Sequence, residues 1–501
     1  MNLDAREIEL KLRCEPSQEP EILALCGAGA LPSARRLTSI YYDTPRRALR
    51  RAGFVLRLRR EGRRWTQTVK STAWADGRPG RGEWEIGVRK GSLDMAAIRA
   101  TPAGLALPRG ARLEALFEIA VQRRTLEVRE GGGVIEVSFD VGEAKAVGRA
   151  QGFCELELEL KAGPPEALFA LAQRLSEAFA LTLSFTTKAD RGFGVMAARS
   201  ARAAHFAPPH LHPKTPTADA FRAIAMAALA QLGSNALRVG AHPGAESIHQ
   251  LRVAVRRLRG TLSTFKPVID DSQVEAIKIE LKWLGRELDE ARNLDVFITG
   301  ALRRAKGDAP MPRPLAAFGR RLRAARKAAY ARARDAAAGA RFRTLLLDAV
   351  QWVEVGPWTR ARGAAAKLRK APAGDLAAKA LARPRRRIRK DGADLAGISR
   401  HRRHRVRIQA KILRYACEAF APLIEDHPKR AAVFIDGLKD LQEVLGDIND
   451  IVCGETLIEE MATPELAQGL IQSERARETR LIAAAQDALD TFAEARRFWR
   501  Q

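Results

Sequence analysis

The sequence predicts an α+β chain, with a first domain of antiparallel strands and outer helices and a second domain of helices alone. Three observations carry that expectation. Over residues 1–195, short segments alternate charged and apolar side chains with a period of two, the repeat of a strand with two unlike faces. The stretch SARAAHFAPPHLHPKTPTAD then sets Pro208, Pro209, Pro213 and Pro216 close together, which disfavours helix and strand alike. From Asp219 onward the pattern becomes long amphipathic helices rich in Ala, Leu, Arg and Glu. The expected domains are 1–197 and 217–497, joined by a linker over 198–216.

The opening EIELKL puts Glu7, Glu9 and Lys11 on one face of a strand, and Ile8, Leu10 and Leu12 on the other. The alternation recurs in SIYYDT, in FVLRLRR with Arg57 and Arg59, and in RWTQTVK with Thr66, Thr68 and Lys70. It returns in RGEWE with Arg81, Glu83 and Glu85, in GVIEVSFD with Glu136 and Asp140, and in FCELELELK with Glu155, Glu157 and Glu159. Helical stretches are expected near 17–26, 92–99 and 164–179. An ordinary half-buried sheet turns its polar face to water. Here acids gather on some strands and Arg or Lys on others, with few Ser, Asn or Gln between them. A closed barrel with charged faces inward and apolar faces against outer helices needs that pattern. Its lumen would offer hard oxygen ligands to Mg²⁺ or Mn²⁺ and Arg/Lys donors to phosphate oxygens, the two requirements of a metal-bound triphosphate.

At 501 residues the chain exceeds one ordinary core, and 46% hydrophobic residues exclude a disordered chain. A formal net charge of +27 points to a polyanionic partner such as nucleic acid, an anionic membrane or polyphosphate. The five cysteines lie far apart with no CxxC pair, which fits a reducing compartment and argues against a thiolate zinc site. The polar N-terminus shows no signal peptide and no apolar run suggests a membrane span, so a cytoplasmic protein is expected. No GxxxxGK[ST] loop is present, which disfavours a Walker-type NTPase.

Glu7-x-Glu9-x-Lys11 resembles the ExExK signature of the CYTH family, the triphosphate tunnel metalloenzymes. YYDTPRRALRRAGFVLRLRR, WTQTVK, RGEWE, CELELEL and TTKADRGF follow in that family's order, over roughly residues 2–195. The resemblance implies an eight-stranded antiparallel tunnel and metal-dependent attack of water on a terminal phosphoryl group. It further implies metal binding by Glu7, Glu9, Glu155 and Glu157, and phosphate binding by Lys11, Arg57, Arg59, Lys70, Arg81 and Lys188. A further basic residue lies in VQRRTLEV, where Arg123 and Arg124 both qualify and Arg124 is the expected one. Glu83, Glu136, Asp140 and Glu159 all stand as candidates for a general base. Positioning and charge stabilisation are what phosphoryl transfer asks of a protein, and such a residue set supplies them.

The helical half repeats itself. HQLRVAVRRLRGTLSTF at 249–265 and HRVRIQAKILRYACEAF at 404–420 share a pattern of His and basic residues at spacings of 3, 4 and 3. On a helix this gives two stripes, His249, Arg252, Arg256, Arg259 and His404, Arg407, Lys411, Arg414, with Leu251, Val255, Leu258 and Leu262 on the other face of the first. A second element follows each copy, LKWLGRELDEARNLDV with Lys282 and Arg286, and LKDLQEVLGDINDIV with Lys439. Paired copies in the same order indicate duplication and one two-sided anion groove. Zinc at HRRH is disfavoured, because His401 and His404 have no acidic or thiol partners nearby. Residues 302–400 between the copies form an Arg/Ala-rich helical stretch, with breaks expected at Pro310, Pro312, Pro314, Pro357, Pro372 and Pro384.

This half resembles the CHAD domain over roughly 215–495, which implies two pseudo-symmetric four-helix bundles and a basic groove for inorganic polyphosphate. Aromatics are only 6% of the chain and none interleaves with the combs, so nucleic acid, which wants stacking platforms, is disfavoured. The favoured reading is a metal-dependent inorganic triphosphatase with a polyphosphate-binding domain, able to associate with polyphosphate granules. Its rivals are a non-enzymatic polyphosphate or nucleic-acid binder, and a tunnel enzyme acting on thiamine triphosphate or ATP. Retention of all four metal-type glutamates favours the enzyme.

Overall fold

The computed structural model describes residues 8–71, 82–89, 91–197, 203–306, 312–420, 423 and 427–499, so Glu7 and Arg81 lie outside the described residues. The chain forms two compact units, residues 1–202 with 343–355, and residues 203–342 with 356–501.

In the first unit, period-two segments become β1 (Glu9–Arg13), β2 (Arg35–Asp43), β3 (Phe54–Glu61), β4 (Arg64–Ser71) and β5 (Glu83–Val88). They are followed by β6 (Glu114–Glu130), β7 (Gly133–Ala146), β8 (Arg149–Ala162) and the short β9 (Thr182–Leu183). Among the described residues these make one antiparallel sheet in the order β5-β4-β3-β2-β6-β7-β8-β1-β9. The helices expected near 17–26, 92–99 and 164–179 appear as α1 (Glu19–Leu25), α3 (Met95–Arg99) and α4 (Pro165–Ala178), with α2 (Ala48–Arg51) and α5 (Lys188–Met196) in addition.

A closed tunnel of eight strands was expected. The sheet instead has nine, and among the described residues no ladder joins β5 to β9. The extra strand is at β1: after α4 the chain returns along it, and Thr182 and Leu183 pair with Arg13 and Leu12, so that β9 rather than β1 ends the sheet.

The two faces of the sheet have the expected characters. Leu10, Leu12, Ile135, Val137, Phe139, Leu156 and Leu158 are buried on one of them. There α4 packs across β6, β7 and β8 with Leu168, Phe169, Leu171 and Leu175, all at 0% exposure. Each such side chain contributes roughly 1.5–3 kcal/mol, so this layer fixes the register and forces the charged residues to the opposite face. At one end of that opposite face lies α5. Its Ala189, Phe193 and Val195 join Leu37, Tyr41, Phe117, Ile119 and Val121 in a small apolar cluster. Tyr41 stacks on Phe117 at 4.7 Å and Phe193 meets Phe117 edge-on at 4.9 Å. Gly192 makes the close approach feasible, because a Cβ there would sit 2.0 Å from the Phe117 ring.

The second unit is helical, with α6 (Thr217–Ala241), α7 (Ala245–Thr264), α8 (Lys266–Ile269), α9 (Ser272–Thr299), α10 (Ala301–Lys306) and α11 (Arg313–Ala338). After α12 (Ala340–Val355), whose residues 343–355 belong to the first unit, come α13 (Ala364–Lys370), α14 (Ala373–Asp391), α15 (Arg400–Phe420), α16 (Pro428–Met461) and α17 (Pro464–Glu494). Helix α6 packs on α7 and α11, and α9 packs on both of those; α14 packs on α15, α15 on α16 and α16 on α17. Pro314 lies in the first turn of α11, Pro357 opens a 3₁₀ turn and Pro372 caps α14, as helix boundaries require. Pro384 does not break its helix and sits inside α14. Its own burial, in step with Ala377, Leu381 and Ile388 on one stripe, offsets the roughly 3 kcal/mol that an interior proline costs.

Candidate active site and anion cleft

The charged face of the sheet gathers at β1, β7, β8 and α5. Register alone sets Lys11 opposite Glu157, Glu157 opposite Ser138, and Asp140 between Arg123 and Glu155. Helix α5 adds two cations. Thr187 and Asp190 cap one another at its start, with the Asp190 N–H donating to Thr187 Oγ1 at 3.1 Å and the Thr187 hydroxyl donating to the carboxylate at 2.6 Å. That cap fixes Lys188 in the first turn and brings Arg191 beneath it, three residues on.

The contacts are dense. The Lys11 ammonium donates to Glu157 at 2.6 Å and also to Glu9. Lys188 reaches Glu157 at 2.7 Å, Glu155 at 2.7 Å and Asp140 at 2.8 Å. Arg123 holds Asp140 bidentately at 2.7 and 2.6 Å and touches Glu157 as well. Arg191 donates to Glu155 at 2.7 Å. Burial opposes the charge of Glu157, yet Lys188, Lys11 and Arg123 hold its carboxyl well below the usual range. Burial likewise opposes the Lys188 charge, but Glu157, Asp140 and Glu155 hold it above the usual lysine range. Four carboxylates (Glu9, Asp140, Glu155, Glu157) thus face four cations (Lys11, Arg123, Lys188, Arg191), and the cluster is balanced. Asp140, Glu155 and Glu157 each bring an oxygen within 4.8 Å of the others, a hard-ligand set suited to a divalent ion.

Further across the same face the balance fails. Arg57 donates to Thr68 at 3.3 Å, Thr68 to Glu85 at 3.2 Å, and Lys70 pairs with Glu83 at 2.7 Å. Arg59 has no hydrogen-bond or ion-pair partner among the described residues, and its Nε is buried. Burial, with Arg57 and Arg123 as cationic neighbours, pushes it down to about 10. A guanidinium in that position wants an anion.

The structure therefore brings together Glu9, Lys11, Asp140, Glu155, Glu157 and Lys188, with Arg57, Arg59, Lys70 and Glu83 beside them. It leaves others apart. Arg124 is on the opposite face, donating to Glu19 at 3.1 Å and to the Pro32 carbonyl, and Arg123 holds the place expected for it. Glu136 and Glu159 share Lys161, at 3.6 and 2.7 Å. Asp140, at 0% exposure, is enclosed by Arg123 and Lys188 and is an anchor for them rather than a group open to water. Sequence reasoning set Arg123 second to Arg124, and Arg191 is the residue that it left out. The Thr187-x-x-Asp190 cap was the available signal for Arg191, since it predicts a helix that places residues 188 and 191 on one side.

In the helical unit the two stripes meet where α7 packs on α15. Leu251, Val255, Leu258 and Leu262 are buried, as the periodicity of α7 predicts. Arg252 pairs with Asp289 of α9 at 2.6 Å, and Nδ1 of His404 meets Asn449 of α16 at 2.8 Å. Lys411 is pushed down to about 5 by burial and by Arg256, Arg407 and Arg252. His249 falls to about 4 through burial and Arg292, Arg256, Arg252 and Lys411. The two stripes thus lie close enough to repel one another's charges, on the facing sides of α7 and α15. The Nε atoms of Arg256 and Arg407 are buried there without partners. Arg414 is drawn off to Glu418 at 3.5 Å, Lys439 pairs with Asp436 at 2.8 Å on the surface, and Arg259 is exposed. Lys282 and Arg286 are exposed on α9, on the stripe of Asp289. Arg292, one turn beyond Asp289, joins the cleft without having been expected.

Comparison with known proteins follows the same division. The CYTH domain family matches residues 5–193 and the CHAD domain family residues 223–459. A curated protein from Haemophilus influenzae named inorganic triphosphatase is 29% identical over 196 residues, covering 38% of this chain. The match spans 55% of that relative's length. The crystal structure of the CHAD domain from the plant Ricinus communis is 26% identical with a TM-score of 0.51, covering 60% of this chain and 99% of that one.

Proposed function

From a chain that carries a CYTH domain followed by a CHAD domain, we propose a divalent-metal-dependent inorganic triphosphatase whose helical domain binds polyphosphate. The observation that carries the reading is Arg59, an unpartnered guanidinium beside a carboxylate cluster of metal-ligating type. One site then offers both halves of what a metal–triphosphate complex needs. Glu9, Asp140, Glu155 and Glu157 would hold Mg²⁺ or Mn²⁺, which supplies Lewis-acid withdrawal of charge from the phosphoryl oxygens. Arg57, Arg59, Lys70 and Arg123 bind the phosphate chain, the arginines bidentately. Lys11 and Lys188 turn from Glu157 toward the same oxygens and stabilise the charge that builds as water attacks the terminal phosphorus. Diphosphate leaves, and phosphate is the second product. Glu83 lies 3.9 Å from Arg57 and is the proposed acceptor of the water proton.

In the helical domain, His249, Arg252, Arg256, Arg292, Arg407 and Lys411 form the polyphosphate cleft, with Arg259, Lys282 and Arg286 as its exposed margin. Two four-helix bundles, α6, α7, α9, α11 and α14–α17, and domain bounds at 1–197 and 217–497 complete the proposal. Such a protein would work in the cytoplasm and gather at polyphosphate granules.

Phosphate release from inorganic triphosphate with Mg²⁺, Mn²⁺ or EDTA tests the reading, alongside Glu9→Gln. Metal-dependent release lost in Glu9→Gln supports it. No release with either metal from folded protein refutes it, and ATP and thiamine triphosphate then become the substrates to try.

A further inference from the structure

Behind the charged face, two thiols meet. Cys14 and Cys154 are 140 residues apart in sequence, yet their Sγ atoms lie 3.2 Å apart. The ladder explains the encounter. Arg13 pairs with Glu155 in the β1–β8 register, so the next residue of β1 falls opposite the preceding residue of β8. By the period of two, Cys14 follows Leu10 and Leu12, and Cys154 shares the side of Leu156 and Leu158. Both thiols thus point away from Lys11, Glu155 and Glu157. Cys154 is buried and Cys14 partly exposed, which gives a small oxidant one thiol to reach and one to resolve it. The other cysteines offer nothing comparable. Cys26 and Cys417 are buried without a sulfur neighbour among the described residues, and Cys453 sits against Asn449.

We propose that Cys14 and Cys154 form an oxidative modification site, at which peroxide makes a cross-strand disulfide that pins β1 to β8 behind the charged face. The chemistry balances. The Cys14 thiol and hydrogen peroxide give a sulfenic acid and one water; the Cys154 thiol then displaces the hydroxyl, the S–S bond forms and a second water leaves. Two thiols are oxidised as one peroxide is reduced. The contact with Cys154 and burial push the Cys14 thiol up, which keeps its thiolate fraction low and makes the first step slow. The consequence is mechanical. Strand β1 carries Glu9 and Lys11 but is only five residues long. A bond at its end keeps those two side chains in register with Glu157. The closed loop is long, so the unfolded chain loses much of its freedom and the oxidised protein gains thermal stability.

The test uses the full chain, reduced, freed of reductant and treated with hydrogen peroxide. It is then unfolded in guanidinium with N-ethylmaleimide, digested without reductant and analysed by mass spectrometry. One linked peptide pair, Cys14 to Cys154, is expected, with Cys26, Cys417 and Cys453 alkylated. Oxidation should also raise the melting temperature of wild type by roughly 5 °C or more, and that rise should vanish in Cys14→Ser and in Cys154→Ala. Recovery of both cysteines alkylated, or singly over-oxidised without a linked peptide, overturns the proposal. So does an equal rise in melting temperature in either variant.

Discussion

A lysine pushed down to about 5 is neutral at pH 7, and Lys411 is held there by burial and three arginines. A polyanion entering the cleft reverses the preference and draws a proton onto it. His249, pushed down to about 4, behaves alike. Polyphosphate binding should therefore take up protons and weaken as pH rises from 6 to 8, by up to about tenfold per pH unit for each coupled group. Calorimetry in buffers of different ionisation enthalpy reads that uptake, and Lys411→Met should remove part of it. The sign for folding is opposite. The unfolded chain protonates Lys411 at any pH below its ordinary value near 10.5, so the free protein loses stability as pH falls from there toward 5. Lys411→Met should flatten that dependence and raise the melting temperature while weakening polyphosphate binding.

Arg59 is the same case on the sheet. Removing an unpartnered cation costs the fold little, so Arg59→Met should melt no lower than wild type while KM for triphosphate rises about 10–100-fold, the worth of one charge-assisted contact. The neighbouring arginines separate cleanly. Arg123→Met takes a bidentate partner from the fully buried Asp140 and leaves it only Lys188, and should cost about 1–3 kcal/mol in denaturant unfolding. Arg124→Met loses a partly exposed pair with Glu19 and should cost about 1 kcal/mol or less.

At the scale of elements, α5 is the piece on which the site depends. Gly192→Ala drives a methyl group into Phe117 and must lift the helix that carries Lys188 and Arg191. A loss of about 1–3 kcal/mol is expected, with a larger fractional loss of triphosphatase activity than of stability. Equal activity per folded molecule would show that α5 does not position the site. How far elements could be read in advance follows from the same physics. Glu9, Lys11, Arg57, Arg59, Lys70, Glu155 and Glu157 were legible because one buried apolar face forces every other residue to the opposite side. Arg123 and Arg124 were not, because neighbours on a strand point oppositely and both find acids, Asp140 and Glu19. Only strand register decides between them, and register belongs to partner strands distant in sequence. Thr182–Leu183 is too short for any periodic signal, so the ninth strand was invisible. Pro384 misled because a propensity was read without the packing that overrides it.

For the molecule as a whole, the charge of +27 divides into two kinds of site. In the helical unit cations outnumber acids in the cleft, so its ligand must bring negative charge and binding must fall steeply with salt. A slope of about −4 in log K against log salt is expected, from roughly 0.7 per neutralised phosphate and about six cations. A flat salt response would mean that the cleft holds its ligand by other means. The sheet behaves differently, and the reason is its four carboxylates matched by four cations. Such a site is nearly invisible at a distance. It does not draw in a lone cation, which would have to evict a lysine, and a lone anion finds Arg59 without a partner but every cation of the cluster already held by a carboxylate. Only a visitor that is itself a cation and an anion bound together can exchange partners on both sides in one step. On the proposed function, order of addition then becomes a property of the protein, and the metal–triphosphate complex is expected to bind more tightly than either metal or triphosphate alone.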